Sequence, residues 1–215
     1  MDTRNNLLKL NAVIIKEVNY KDYDKLLTLF SKDRGKINVY AFNIRKTNSK
    51  NIGKARLFSF GTFELREDND SYQLENIILD KSFDNLTNDY ESICFASYFV
   101  ELVDYFGYEN LESYDVYTLL YYTLKALDTK KVPSKLIKRV FELKMLEYQG
   151  IYKSSDMLMS KNETLKYTWD FILNSLPQKL YTFKLSDDIY NLFDAEMSIE
   201  MKEKVDKKFK SLNNL

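Results

Sequence analysis

Histidine is absent from this chain of 215 residues, and cysteine occurs once, proline twice and glycine five times. Without histidine no Ser-His-Asp or Cys-His arrangement can activate a nucleophile, and the commonest metal ligand and general base is missing. One cysteine, Cys94, excludes an intramolecular disulfide and any zinc site built from cysteine and histidine. The glycines Gly35, Gly53, Gly61, Gly107 and Gly150 never fall in the GxGxxG or GxxxxGK[ST] spacing, so no phosphate-cradling loop is encoded and nucleotide hydrolysis is not expected. The carboxylates are scattered in helical surface patterns, without the spacing of a metal loop or the compact pairing that acid-base work needs. A protein that is not an enzyme and holds no cofactor is the expectation. Long apolar runs are missing too: 11–15 and 93–100 fall far short of the roughly 20 residues of a membrane helix. The opening MDTRNNLLKLN has no signal-peptide core, so a cytoplasmic protein without membrane contact is expected.

What is present is 45% hydrophobic residues, 15% aromatic and 30% charged, enough apolar material for two modest cores under a solvated surface. Up to Asp80 the apolar pattern has period two, the mark of strands with one buried face. Ile37, Val39 and Ala41 alternate with Asn38, Tyr40 and Phe42, and Leu57 to Leu65 alternates in the same way. With 10–17, 25–30 and 72–79 this makes five strands in about 80 residues with no helix between them, which predicts a small closed barrel of the OB type, because closure removes exposed edges. From Lys81 the period becomes helical. Leu86, Tyr90, Ile93, Val100 and Val103 mark a first helix, which a left-handed Gly107 is expected to end. Val116 to Leu127 marks a second; Pro133 opens and Gly150 caps a third carrying Leu136, Val140, Leu143 and Met145. Ser160-Lys161-Asn162-Glu163 matches a capping box with Ser160 as the cap, ahead of Leu165, Trp169 and Ile172. Two terminal helices are expected, around 187–193 and 198–212. The predicted fold is thus α+β, an OB-fold domain over 1–80 followed by an all-α domain over 81–215.

The formal net charge is zero, yet Lys32 to Arg56 holds eight basic residues against Asp33 alone, a local charge of +7. A basic loop can be a merely solvated one. Three features argue for more: the stretch is almost one-signed, it contains Tyr40 and Phe42, and it runs from one strand of the barrel into a long loop. Cations that follow phosphates beside rings that stack on bases are the combination that holds single-stranded nucleic acid. The candidate nucleic-acid-binding residues are Arg34, Lys36, Tyr40, Phe42, Arg45, Lys46, Ser49, Lys50, Lys54 and Arg56. Phe58, Phe60 and Phe63 are expected to pack internally, Cys94 to be an inert core thiol, and the lysines from Lys202 to Lys210 to form a solvated face.

From Ile14 to Leu65 the order of short motifs is Asp24, Thr28-Leu29-Phe30, Gly35-Lys36, Arg45-Lys46, Ser49-Lys50 and Phe58-Ser59-Phe60-Gly61. In order and spacing it resembles the N-terminal domain of the RecO family of recombination mediators. The likeness continues through Ala96-Ser97-Tyr98-Phe99-Val100-Glu101-Leu102-Val103 and Phe141-Glu142-Leu143-Lys144-Met145-Leu146 to Gly150. The resemblance implies an OB-fold followed by helices, binding of single- and double-stranded DNA, strand annealing, and cooperation with RecR in loading RecA. It also implies a nucleoid-associated location and, as further partners, the single-stranded DNA-binding protein and RecF. Two departures stand out. Many relatives place a four-cysteine zinc module after the glycine matching Gly150; here residues 151–185 hold no cysteine, so that module is degenerate and packing by Met157, Leu158, Met159 and Trp169 is expected to take its place. Many also have Lys-Gly where this chain has Phe42-Asn43. The alternative reading is an OB-plus-helix interaction scaffold that has lost DNA binding.

Overall fold

The computed structural model describes residues 7–68, 71–151 and 162–212. It has the expected α+β architecture. Five strands come first: β1 (Leu7–Tyr20), β2 (Asp24–Ser31), β3 (Gly35–Ala41), β4 (Phe60–Asp68) and β5 (Ser71–Lys81). They close into a barrel in the order β1-β2-β3-β5-β4, antiparallel except where β3 runs parallel to β5. Five helices follow: α1 (Tyr90–Phe106), α2 (Tyr114–Thr129), α3 (Ser134–Tyr148), α4 (Glu163–Asn174) and α5 (Asp187–Lys204). The chain forms two compact units, Met1–Asp84 with Val100–Tyr117, and Asn85–Phe99 with Thr118–Leu215.

The period-two pattern explains the barrel interior. Leu10, Ala12 and Ile14 of β1, Leu27 and Leu29 of β2, Ile37, Val39 and Ala41 of β3, and Phe63 and Leu65 of β4 form one buried cluster. On β5 the register shifts between Glu64 and Leu65 of its partner, which lets Leu74 and Ile77 both face the core although two residues separate them. A second irregularity lies between Ile14 and Lys16, opposite Leu29 and Thr28. Beyond it Lys16, Val18 and Tyr20 lie in register with Thr28, Leu26 and Asp24, and Thr28 and Leu26 pair in turn with Asn38 and Tyr40. These residues make the outer face of β1, β2 and β3, and the Thr28 hydroxyl donates across it to Asn38 Oδ1 at 3.0 Å.

One half of that outer face is covered and the other is open. Gly107 lies against it: a Cβ there would stand 2.7 Å from Val103 O one turn back, 3.0 Å from the Phe30 ring and 3.4 Å from Lys36 Cγ. Gly107 therefore serves close packing; it does not take the left-handed conformation expected of a helix cap, which only Gly35 and Gly150 adopt among the described glycines. Gly35, at φ 61°, brings the start of β3 against the carbonyls of Tyr108 and Leu111, where a Cβ would stand 2.2 and 2.8 Å away.

In the second unit α3 is the central helix, buried from Leu136 to Met145 but for Lys138. Gly150 ends it as expected: its own N–H reaches Glu147 O at 2.8 Å and that of Ile151 reaches Leu146 O at 3.0 Å, the paired bonds of a Schellman motif. Phe99 packs on Phe141 at 4.7 Å between centroids, and Trp169 meets Phe193 edge-on at 5.5 Å. The expected capping box is displaced. Asn162 is the cap of α4, its side chain accepting from the N–H groups of Thr164 and Leu165, and Ser160 lies outside the described residues. In place of the two expected terminal helices there is one continuous α5, since Asp194-Ala195-Glu196-Met197 holds no glycine or proline to interrupt it, and it ends at Lys204, short of the expected 212. The Met157, Leu158 and Met159 substitution for a zinc module also lies outside the described residues; Trp169 is fully buried.

Candidate nucleic-acid interface

At the open end of β3 the chain enters a loop from Phe42 to Ser59, built as a run of tight turns. Lys46 N–H returns to Asn43 O at 3.1 Å, Ser49 N–H to Lys46 O at 2.9 Å, and Lys54 N–H to Asn51 O at 3.0 Å. Its first residue with special geometry is Asn43, at φ 52°. Asparagine is among the few residues other than glycine that enter this region readily, so the missing glycine does not force a different turn. The Asn43 N–H is also held, donating to Asp24 Oδ1 at 2.7 Å. Replacing Asn43 by Gly should leave stability unchanged within about 0.5 kcal/mol, whereas Asn43→Val should cost about 1–2 kcal/mol, which chemical denaturation of the two variants would measure.

Apolar anchors make the loop part of the barrel. Ile44 and Ala55 are buried in the barrel core. Asn51 is buried as well, its Oδ1 accepting from Ile77 N–H at 3.2 Å and its Nδ2 donating to Glu75 O at 3.4 Å. The loop returns through Phe58, whose N–H donates to Ile14 O at 3.0 Å. Phe58, Phe60 and Phe63 are buried.

The ten candidate residues do not form one patch. Arg45 and Lys46 are exposed beside the β1–β2 turn: Arg45 N–H donates to Tyr23 O at 2.9 Å, and Lys46 Nζ lies 5.3 Å from the Tyr23 ring centre. Next to them the rings of Tyr40 and Phe42 are nearly parallel, 8° apart in plane and 6.0 Å between centroids. Those four are brought together. Arg34 and Lys36 stand at the opposite end of β3, Lys36 four residues and hence roughly 13 Å from Tyr40 along the strand. Lys36 is engaged there, its Nζ donating to Asp104 O at 2.8 Å and pairing with Asp104 Oδ1 at 3.3 Å, while Arg34 donates to the Tyr72 hydroxyl at 3.2 Å. Lys54 donates to Ile77 O at 2.9 Å and so fastens the loop. Lys50 is exposed on the side of β4 and β5, next to Glu64 and Glu75. Hydrogen bonds from Lys9 and Asn76, with a smaller contribution from the Lys50 charge, hold the Glu64 carboxyl below its ordinary value. Ser49 is half-buried and accepts from Asn51 N–H at 3.4 Å; Arg56 is exposed.

Three residues outside the expected set complete the open surface. Tyr20 meets Tyr40 at 5.8 Å between centroids, Lys21 Nζ lies 5.0 Å from the Tyr20 ring centre, and Tyr23 is half-exposed. The signal for them was Tyr20-Lys21-Asp22-Tyr23 in a turn between two strands, a tip that antiparallel pairing must deliver beside the end of β3. Chemically, this surface offers fixed cations and accessible ring faces.

The donor set does not fit zinc. The chain's one thiol, Cys94, is buried within α1, and among the described residues no group of three or more cysteine or carboxylate side chains is close enough to hold a metal ion. No described helix is long and apolar enough to cross a membrane.

Fold and surface together define a class: an OB-type barrel with a cationic, aromatic outer surface, continued in the sequence by helices. The profile described as Recombination protein O N terminal matches residues 5–83, and that described as Recombination protein O C terminal matches residues 87–174. The chain belongs to the RecO family. It is 28% identical over 165 residues to the DNA repair protein RecO of Alkaliphilus metalliredigens, covering 77% of this chain and 67% of that one. To its counterpart in Clostridium perfringens it is 32% identical over 144 residues, covering 67% and 58%. The match to the protein of that name in Acetivibrio thermocellus, at 24% identity, spans 97% of this chain and 96% of the relative. The Clostridium perfringens match, like several further ones to proteins of that name, spans under two thirds of the relative's own length.

Proposed function

We propose that this chain is a non-enzymatic DNA repair protein of the RecO type. It binds single- and double-stranded DNA on the open half of the barrel's outer face and promotes annealing of complementary strands. With RecR it loads RecA, and the single-stranded DNA-binding protein and RecF are its further partners at the nucleoid. The observation that carries this reading is the anchored loop that presents Arg45 and Lys46 beside the ring surface of Tyr40 and Phe42. Cations carried on an anchored loop can follow phosphates without the entropy cost of ordering a flexible tail.

The scaffold alternative has one observation in its favour. Lys36 and Lys54 donate their ammonium groups to the protein's own carbonyls, so the +7 of the sequence overstates the charge offered outward. Fluorescence anisotropy with labelled single-stranded DNA over a range of salt separates the two. The mediator should bind with a negative slope of log affinity against log salt, because each neutralised phosphate releases counterions. No binding at low salt would leave the scaffold.

A further inference from the structure

We infer that the row of rings running from Tyr20 at the β1–β2 hairpin through Tyr40 to Phe42 is the part of this surface that selects single-stranded over double-stranded DNA. The inference rests on the proposed DNA binding and adds to it which strand form is preferred and which residues impose the preference.

The tip is fixed. Lys21 takes a positive φ of 53°, the Asp24 carboxylate following it holds Asn43 N–H, and Tyr23 O holds Arg45 N–H. Hairpin and basic loop are therefore fastened side by side. On this platform Tyr20, Tyr40 and Phe42 form a continuous row of rings across β1, β3 and the loop entrance. Tyr20 is 39% exposed, Phe42 46% and Tyr23 51%, so large ring areas that could have been turned inward remain in contact with water. An exposed aromatic row rimmed by charge marks a binding surface. Its occupant follows from what each ring and charge can recognise. Lys21, Arg45 and Lys46 outnumber Asp22 and Asp24, so the rim favours a polyanion. A duplex keeps its bases stacked on one another and offers phosphates and groove edges, which the cations alone can use. A single strand offers free base faces as well, and only these can stack on Tyr20 and Phe42.

The test compares a labelled oligothymidylate, an abasic strand of equal charge and a duplex hairpin, by anisotropy at several salt concentrations. Tyr20→Ala with Phe42→Ala should lower affinity for oligothymidylate about tenfold or more, leave duplex and abasic affinity within about twofold, and leave the salt slope unchanged. Tyr20→Leu with Phe42→Leu, which keeps apolar volume, should do the same, and Tyr20→Phe should retain wild-type selectivity. Equal losses on oligothymidylate and duplex in the Leu variant, or no loss on either, would overturn the inference. A wild-type protein that binds none of the three probes would overturn the underlying DNA-binding reading instead.

Discussion

Reversing the charge of Arg45 and Lys46 together, Arg45→Glu with Lys46→Glu, is expected to weaken DNA binding by about 100-fold or more at low salt while leaving the fold intact. Each residue is exposed, and neither side chain donates a hydrogen bond to the protein among the described contacts, so their replacement leaves no buried group without a partner. Two lost phosphate contacts, joined by two new repulsions, account for the size of the effect. Adding Lys50→Glu should change little further, because Lys50 stands on the side of β4 and β5 beside Glu64 and Glu75 and away from the ring surface. Lys36→Ala and Lys54→Ala should act oppositely. Their ammonium groups satisfy Asp104 and the carbonyl of Ile77, so these variants should lose thermal stability and keep DNA affinity.

The second large effect belongs to the helical unit and is thermodynamic. Glu142→Ala is expected to cost about 3–5 kcal/mol, a fall in melting temperature of roughly 6–20 °C for a chain of this size. Glu142 is almost fully buried. It accepts from the Tyr98 hydroxyl at 2.6 Å and from Arg139 Nη1 at 2.8 Å, with Lys138 Nζ at 3.2 Å. Arg139 is buried too and continues the network, donating through Nε to Asp194 Oδ1 at 2.7 Å and through Nη2 to Ser198. Removing the carboxylate takes away the buried acceptor of Arg139 Nη1 and of the Tyr98 hydroxyl, and leaves the guanidinium with Asp194 and Ser198 alone. Removing both, with Glu142→Leu and Arg139→Met, should recover much of the loss, since apolar packing often replaces a buried ion pair without penalty. Burial pushes the Asp194 carboxyl up, but the hydrogen bond and charge of Arg139 outweigh it and hold the group below its ordinary value. That contribution is complete above the unfolded carboxylate pKa of about 3.9 and fades as pH falls through the lower folded value.

The barrel was legible because its cause is local. A buried face on every strand forces period-two alternation, and Ile37-Asn38-Val39-Tyr40-Ala41 states it residue by residue. The cap at Gly150 was legible for the same reason: one residue without a Cβ stands where a helix must turn left-handed. What was not legible depends on contacts distant in sequence. Lys36 and Asp104 are 68 positions apart, and no pattern near Lys36 tells that its ammonium group is spoken for. The same holds for Lys54 and Ile77. Gly107 carries the sequence signal of a helix cap but serves close packing, against Val103 O one turn back and against the ring of Phe30, which is 77 positions away in sequence. Charge counting therefore marked a candidate surface and overstated how much of it the fold gathers in one place. Of the ten expected residues the fold gathers Tyr40, Phe42, Arg45 and Lys46, and the hairpin tip supplies Tyr20, Lys21 and Tyr23.

The salt dependence of single-stranded DNA binding, measured side by side for the wild type and for Arg45→Glu with Lys46→Glu, tests the central claim most directly. If these two cations sit on phosphates, the log–log slope of the variant should be shallower by about 1.4, at about 0.7 per phosphate contact on a single strand. Equal slopes and equal affinities for the two proteins would contradict the account.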